Sequence, residues 1–554
     1  MIPALYHWLM TVFSSSKTRK FATWMGALAL AATTAISPAM AADDTGTIAP
    51  PTLQGGTEGG GVATRPITED SVGIQMFGWN WNSIKAECPS NLGPAGIDWV
   101  LVLPPTDHID GNAWWVHYQP TSYELNSDAG TREQFIDMVH TCAQAGVQIV
   151  VDAVLNHMAG GSGISFSKKP YGENLNFGDG LYTRGNFHMG LPVTDPNYCK
   201  GDIVNWDAVP ERFNCNFPGL PDLATEQPYV QQKIAGYLND LLTIGVAGFR
   251  FDAAKHIPPA DIAAIQKLLI RPAYLVQEVP GSTAQANEYT PNGDVWAWDM
   301  MEKVTSMYGT PGLAATAVTY DMLDTPSYPD TAKSLSWVTN HDTEHHGGAV
   351  TYQQGKLYQL AFTWLLAEKY GKPMLYSGYA FSADSDQAPF LANGYIADAK
   401  CASDTGPVVK VVSKKNKKTK KVTKTTYPTV GVYKDGQFTC VQRWTSVKGM
   451  VAFHKYVSRA DKSNVFAKKG VYGFGRSGKG FVLINSNTAT YKADKIATGM
   501  AAGDYCDLIS GGGTPVKPGG GCLGTKVTVA ADGSVTYSVP AVTAIAFTAA
   551  TKLP

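Results

Sequence analysis

Eight short apolar runs punctuate the first two thirds of the chain, and several are separated by amphipathic stretches. They are residues 72–77, 97–105, 147–155, 246–253, 273–279, 316–322, 335–341 and 372–378. Stretches such as 131–146 and 226–245 carry the apolar spacing of helices instead. Strands that are apolar on both faces and alternate with helices belong to a parallel sheet covered on both sides. Eight of them predict an α/β fold, a closed (β/α)8 barrel.

The rhythm breaks twice. Residues 158–224 are rich in Gly, Asn and Pro and too irregular for a crossover helix, so they read as a small domain inserted after the third strand. From 456 onward, apolar and polar residues alternate between turn signals, as in an antiparallel β-sandwich. The barrel is then split into 71–157 and 225–455, with the C-terminal domain at 456–554. At the N-terminus, "KTRK", an apolar core and "AMA" predict a signal peptide over 1–41, cleaved after Ala41. A flexible leader over 42–70 would follow, and the mature protein would be secreted, soluble and monomeric.

At 554 residues the chain is long enough for more than one core. Its 45 Lys and Arg against 46 Asp and Glu give no global field to draw nucleic acid or an anionic membrane. All eight cysteines lie beyond the signal, without metal-ligand spacing, which favours disulfides in an exported chain. Cys199–Cys215 and Cys506–Cys522 would close short local loops; spacing alone leaves the full connectivity open.

Ionisable residues gather where four of the core strands end. The third ends with Asp152, Asn156 and His157; the fourth with Arg250, Asp252, Lys255 and His256; the fifth with Glu278; the seventh with Asn340, His341 and Asp342. In a parallel barrel these ends share one rim, where catalytic groups project. Three carboxylates converging there, Asp252, Glu278 and Asp342, suit glycoside hydrolysis. That reaction needs an acid for the leaving oxygen and a carboxylate beside a cationic anomeric carbon. Arg250, two residues before Asp252, points the same way and is expected to hold it ionised. Glu278, crowded by two other carboxylates, is expected to keep its proton.

The segments "DAVLNH", "GFRFDAAKH", "LVQEV" and "VTNHD" resemble, in order, the four signature segments of the alpha-amylase family of glycoside hydrolases. "WWVHYQPTSYEL", "LGPAGIDWVLVLPP" and "GDYCDLISGG" are closest to its animal-type and actinomycete members. The resemblance implies an endo-acting enzyme that cuts α-1,4-glucosidic bonds of starch, glycogen and maltooligosaccharides with retention. Asp252 matches the nucleophile, Glu278 the acid/base and Asp342 the transition-state stabiliser. His157, His256, His341, Lys255, Gln119 and Tyr118 match substrate-binding positions, and Trp114 and Trp115 would extend the aromatic wall. Calcium is implied as well, on Asn156, Asp222 and the backbone carbonyls of Phe213 and His256. The implied disulfides are Cys88–Cys142, Cys199–Cys215, Cys401–Cys440 and Cys506–Cys522.

Two departures qualify the match. Arg250 and Asn340 stand where the family holds chloride, but the third, basic position falls on Met374 with Lys372 only nearby, which leaves chloride activation open. A Lys-rich insertion over 410–426 carries eight lysines from Lys410 to Lys424 and reads as a solvated loop. A maltooligosaccharide-forming or transglycosylating relative shares the three carboxylates; a silent glucan-binding relative would have no need of them.

Overall fold

A computed structural model of the chain describes residues 64–309, 328–402, 409–415, 422–428 and 433–554. The signal and leader expected over 1–41 and 42–70 lie outside these residues, apart from the last few of the leader. Eight parallel strands close a barrel: β1 Gly73–Met76, β2 Trp99–Val102, β3 Gln148–Val154, β4 Gly248–Asp252, β5 Tyr274–Gln277, β6 Asp294–Trp296, β7 Ser334–Trp337 and β8 Lys372–Ser377. They neighbour one another in chain order, with β1 pairing with β8.

One strand is not where the sequence put it. The sixth is Asp294–Trp296, whereas the apolar run 316–322 lies outside the described residues. A three-residue strand flanked by Gly293 and a second tryptophan is too short to show a period, so the longer apolar run competed for it.

Side-chain alternation sorts the strands into two layers. Val100, Val102, Ile149, Val151, Phe249, Phe251, Leu275 and Val295 join the core between strands and helices. Trp99, Leu101, Val150, Val276, Trp296, Leu335, Trp337 and Met374 form a separate cluster that fills the barrel interior. Gly73 of β1 makes room for one of them, since a Cβ there would meet the Trp99 ring at 2.1 Å. The same alternation carries Asp152, Arg250 and Asp252 inward, because Val151, Ala153, Phe249 and Phe251 face the helices. At the N-terminal end of the barrel, Lys372 of β8 pairs with Asp294 of β6 at 2.9 Å.

The surrounding helices include α1 Arg132–Gln144, α2 Pro228–Ile244, α3 Lys356–Ala367 and α4 Thr445–Val457. Thr131 and Gln134 form a capping box at the start of α1, and Pro228 opens α2. Gly245 ends α2 with φ +112°, a conformation that strains any residue with a Cβ. The segment between β3 and α2 is mostly turns, with one small hairpin of Gly163–Ile164 against Pro170–Tyr171. It returns to the barrel through His157 and Asp222, which form a β-bridge.

Beyond α4, eight antiparallel strands stack as two four-stranded sheets: β9 Lys462–Lys468, β10 Val471–Arg476, β11 Gly480–Asn485, β12 Tyr491–Ala497, β13 Gly503–Cys506, β14 Lys526–Val529, β15 Ser534–Val539 and β16 Thr543–Thr548. Their orders are β9-β10-β11-β16 and β12-β15-β14-β13. One face of the first sheet, with Phe481, Leu483 and Phe547, packs on the second sheet. The other face, with Tyr472, Phe474 and Ile484, belongs to the core that continues into the barrel's helices. Arg476 of β10 is wholly buried and donates to the carbonyls of Val457 (3.1 Å), Ser458 (2.9 Å) and Ala460 (2.9 Å), and to Ala367. It thereby satisfies backbone acceptors at the ends of α3 and α4.

All four disulfides implied by the resemblance are formed: Cys88–Cys142, Cys199–Cys215, Cys401–Cys440 and Cys506–Cys522. Within the Lys-rich insertion the chain forms an antiparallel hairpin, 409–415 against 422–428, where a loop was expected.

Candidate active site

At the C-terminal rim of the barrel, one arginine holds three carboxylates. Arg250 is fully buried; its Nη1 lies 2.6 Å from Asp152 Oδ1 and 2.8 Å from Asp252 Oδ1, and its Nη2 2.7 Å from Glu278 Oε2. Trp296, from the short sixth strand, lies beneath the guanidinium with its ring centroid 4.8 Å away. Asp152 appears at a strand end in the sequence without a role; here it also accepts from the Tyr118 hydroxyl at 3.0 Å, which ties the aromatic wall to the barrel.

The backbone is bent to serve this cluster. Ala253, directly after Asp252, sits at φ +48°, and its N–H donates to Glu278 Oε2 at 2.9 Å. A non-glycine residue in the left-handed region costs on the order of 1 kcal/mol or more, and such strain collects at functional sites.

Asp342 completes the group from the segment after β7. Its Oδ2 lies 3.4 Å from His341 Nε2 and 3.5 Å from the Asn340 amide nitrogen. Gln75 of β1 donates to His341 Nδ1 at 3.0 Å, so the Nε2 proton faces Asp342. His341 is clamped between Tyr118 (centroids 5.0 Å, 6° between planes) and Phe77 (4.7 Å, 12°).

Four carboxyls around one guanidinium leave an excess of negative charge, and proton affinities respond. Burial, reinforced by Glu278, pushes Asp342 up to about 8. Burial also raises Asp252 well above the carboxylate range, with Arg250 opposing and Glu278, Asp152 and Asp342 adding to it. Asp152 rises to about 6, again chiefly by burial, with Arg250 pulling it back. One oxygen of Glu278 lies 2.7 Å from the other terminal nitrogen of Arg250. The expectation that Arg250 holds Asp252 ionised is corrected, because the arginine is shared three ways and burial outweighs its pull.

The expected binding residues divide by exposure. Tyr118, Trp115, Gln119 and Lys255 are half-buried at the rim. Trp114 does not face the opening: it is 1 % exposed, packs its ring on Phe77 and His345, and donates its indole N–H to Asp384 O at 2.9 Å. One of two adjacent tryptophans on a tight 3-10 turn must point inward, and it is this one. His157 donates to Tyr118 O at 3.0 Å, and burial lowers it to about 4. His256 donates to Arg212 O at 3.1 Å.

The residues expected to hold calcium meet where the inserted segment rejoins the barrel. Asn156 and Asp222 are both buried; the Asn156 side-chain nitrogen donates to Asp222 Oδ1 at 2.9 Å, and Leu223 N donates to the Asn156 backbone O at 2.9 Å. The bond from His256 to Arg212 holds the segment carrying Phe213 against the same region. A buried carboxylate, an amide oxygen and nearby backbone carbonyls suit calcium, which takes six to eight oxygens. His188, which the sequence did not single out, grips the other side of Asp222 (Nδ1 to Oδ2, 2.7 Å) and reaches Glu226 Oε2 at 3.1 Å.

Of the three chloride positions, the basic third is taken by apolar, fully buried Met374. Arg250 pairs with three carboxylates but keeps Nε without a hydrogen-bond partner among the described residues, and Asn340 caps the helix that follows it by accepting from Thr343 N at 2.9 Å. Lys372 is turned to Asp294 and to Ala332 O (2.8 Å).

Residues 104–306 match the family described as alpha amylase, catalytic domain, and residues 464–550 its C-terminal all-beta domain. An alpha-amylase of Streptomyces violaceus is 33 % identical over 493 residues, covering 87 % of this chain and 74 % of that protein. Pancreatic alpha-amylase 2a5 of Mus musculus is 32 % identical over 502 residues, covering 84 % and 91 %. Among solved structures, alpha-amylase I of Eisenia fetida superposes with a TM-score of 0.74 at 29 % identity, covering 86 % of this chain and 97 % of that one. With this barrel, this carboxylate rim and these relatives, the chain belongs to the alpha-amylase family. It is a glycoside hydrolase.

Proposed function

We propose that the enzyme cuts internal α-1,4-glucosidic bonds of starch, glycogen and related maltooligosaccharides with retention of configuration. The observation that carries this reading is the shared grip of Arg250, with one oxygen of Asp252 and one of Glu278 held by the two terminal nitrogens of one guanidinium. Such a grip keeps the two carboxyls close, as double displacement requires (about 5–5.5 Å, against about 6.5–9.5 Å for inversion). Asp252 attacks the anomeric carbon, Glu278 protonates the leaving oxygen and then deprotonates the incoming water, and Asp342 binds sugar hydroxyls. Asp342, pushed up to about 8 chiefly by burial, keeps a proton within the cluster at neutral pH, while Asp252 attacks as the carboxylate beside Arg250. Substrate replaces water over the half-buried Tyr118 and Trp115, whose flat faces suit sugar rings. A mutant of the Eisenia fetida enzyme forms a maltohexaose complex, which supports an oligosaccharide in this cleft.

Asn156, Asp222 and the carbonyls of Phe213 and His256 would hold a calcium ion, which supplies a positive charge that pins the inserted segment to the barrel. The Asp252 nucleophile lies four residues before His256, so this pinning also fixes the cleft. Four disulfides, with no free cysteine among the described residues, support an oxidising, extracellular setting for a monomeric enzyme exported by the segment 1–41.

Reducing-end release and viscosity of soluble starch, followed together with calcium present, test the reading in wild type and Glu278→Gln. Early viscosity loss in wild type with few new ends, and a folded but inactive variant, is the expected result. Ends accumulating at constant viscosity would make the enzyme exo-acting. Full activity in Glu278→Gln would refute the acid/base assignment, and an inverted product anomer by proton NMR would refute retention.

A further inference from the structure

The loop between β2 and α1 carries the aromatic wall on one side and, on the other, a closed cluster of His108, His117 and Asp128. All three are at most 3 % exposed. His117 Nδ1 lies 3.2 Å from Asp128 Oδ1, His108 Nε2 lies 3.5 Å from the same oxygen, and all three donor atoms fall within 4.8 Å of one another. The imidazole rings meet edge to face with centroids 5.0 Å apart.

The polar atoms facing the centre are poorly satisfied. His117 Nδ1 and Asp128 Oδ1 are buried without a hydrogen bond of good geometry, close as they are. Leaving such atoms unpaired forfeits their hydration with nothing in return, so the arrangement calls for a further partner. His108 donates its Nδ1 proton to Ile109 O at 2.8 Å, which leaves the Nε2 lone pair facing inward, where it takes the Asp128 amide N–H at 3.2 Å. A carbonyl on the far nitrogen is the usual orienting partner of a metal-bound histidine. The second carboxylate oxygen of Asp128 accepts from Gln387, which fixes its orientation.

We propose that His108, His117 and Asp128 bind a zinc-class divalent cation that staples this loop. Two imidazoles and one carboxylate suit zinc, whereas calcium selects oxygens, so the site is chemically separate from Asn156 and Asp222. Ligands about 2.0–2.2 Å from a tetrahedral ion stand roughly 3.3 Å apart, as Asp128 Oδ1 does from His117 Nδ1 (3.2 Å) and His108 Nε2 (3.5 Å). Binding exchanges the 3.2 Å bond from Asp128 N for a metal–nitrogen bond at His108, and water takes the fourth position. No sugar touches the ion. Its effect is mechanical, because His117 adjoins Tyr118 in a single turn of Trp114–Tyr118.

The test uses tag-free, full-length enzyme kept in excess calcium, loaded with zinc sulfate and passed over a chelating resin. We expect one zinc per chain by elemental analysis, a higher thermal midpoint than the zinc-free enzyme, and visible d–d bands of tetrahedral cobalt when cobalt replaces zinc. His117→Gln and the near-isosteric Asp128→Asn should retain no zinc and lose the midpoint shift. A wild type that retains none and shows no such bands overturns the proposal, as do variants that bind like wild type. If both variants fail to fold, the wild-type metal content and cobalt spectrum decide alone.

Discussion

Two buried ionic clusters lie on opposite sides of the turn Trp114–Tyr118, and they are built on opposite principles. At the rim, Asp152, Asp252, Glu278 and Asp342 surround a single arginine, and burial raises the proton affinity of Asp252 and Asp342. Beneath the loop, one aspartate faces two histidines, and Gln387 and the Asp128 amide complete a closed arrangement. The first is overloaded with charge, strained at Ala253 and partly open, with Asp342 showing a quarter of its side chain to solvent. The second is sealed. A site that must move protons stays partly open with its groups in conflict, whereas one that only holds a loop can be closed off, its unmet polar atoms turned inward.

Removing the shared counter-charge should break the comparison most. In Arg250→Leu three carboxylates lose their cation; we expect a loss of about 3–5 kcal/mol in urea unfolding, together with activity. A variant as stable as wild type would mean that the carboxyls neutralise themselves by protonation.

Asp342→Asn sharpens it. Because the folded value of about 8 lies above the unfolded one of about 3.9, the folded state holds the extra proton between them, and stability falls as pH rises through that interval. The variant lacks this penalty. From pH 5 to pH 9 it should therefore gain on wild type by about 4 kcal/mol, three units at about 1.4 kcal/mol each, while losing hydrolysis, as read by chemical denaturation at the two pH values. A constant difference at both pH values would remove Asp342 from the set of raised groups.

For the sealed cluster, Asp128→Asn in metal-chelated buffer should cost about 1–3 kcal/mol, since the new amide NH2 replaces one of two buried oxygens and leaves either it or the Gln387 amide without an acceptor. Its kcat on maltooligosaccharides should fall less than that of any rim carboxylate variant. The smallest effect concerns halide: replacing chloride by nitrate or acetate at constant ionic strength should leave kcat unchanged, because the third, basic position of the chloride set is apolar Met374. A marked activation by chloride would show that an anion displaces one of the arginine's carboxylates.

The strand ends were legible because they obey a two-residue period: once Phe249 and Phe251 read as core, Arg250 and Asp252 had to share the other face. The inserted segment and the two-sheet C-terminal domain were legible in the same way, as losses or changes of period. Trp296 was not, since its strand is three residues long, too short to show a period, although its ring packs in the barrel interior and under Arg250. His188 and the pairing of His108 and His117 with Asp128 gave no local signal either. Their partners are 34, 20 and 11 residues away, joined by loops without periodicity. The hidden orientation of Trp114 belongs with these, because adjacent residues on a tight turn diverge in a manner fixed only by what packs behind them.

Arg476 gives the C-terminal domain a consequence for how the protein comes apart. Its side chain closes the carbonyl ends of α3 and α4, and one face of its sheet is apolar core shared with those helices. Cutting the chain near residue 456 would thus expose an interior surface and strand backbone acceptors of the barrel. The border visible in the sequence is a seam of ancestry and shape; heat should melt both sides in one calorimetric transition, with the sandwich acting as a missing wall of the catalytic body.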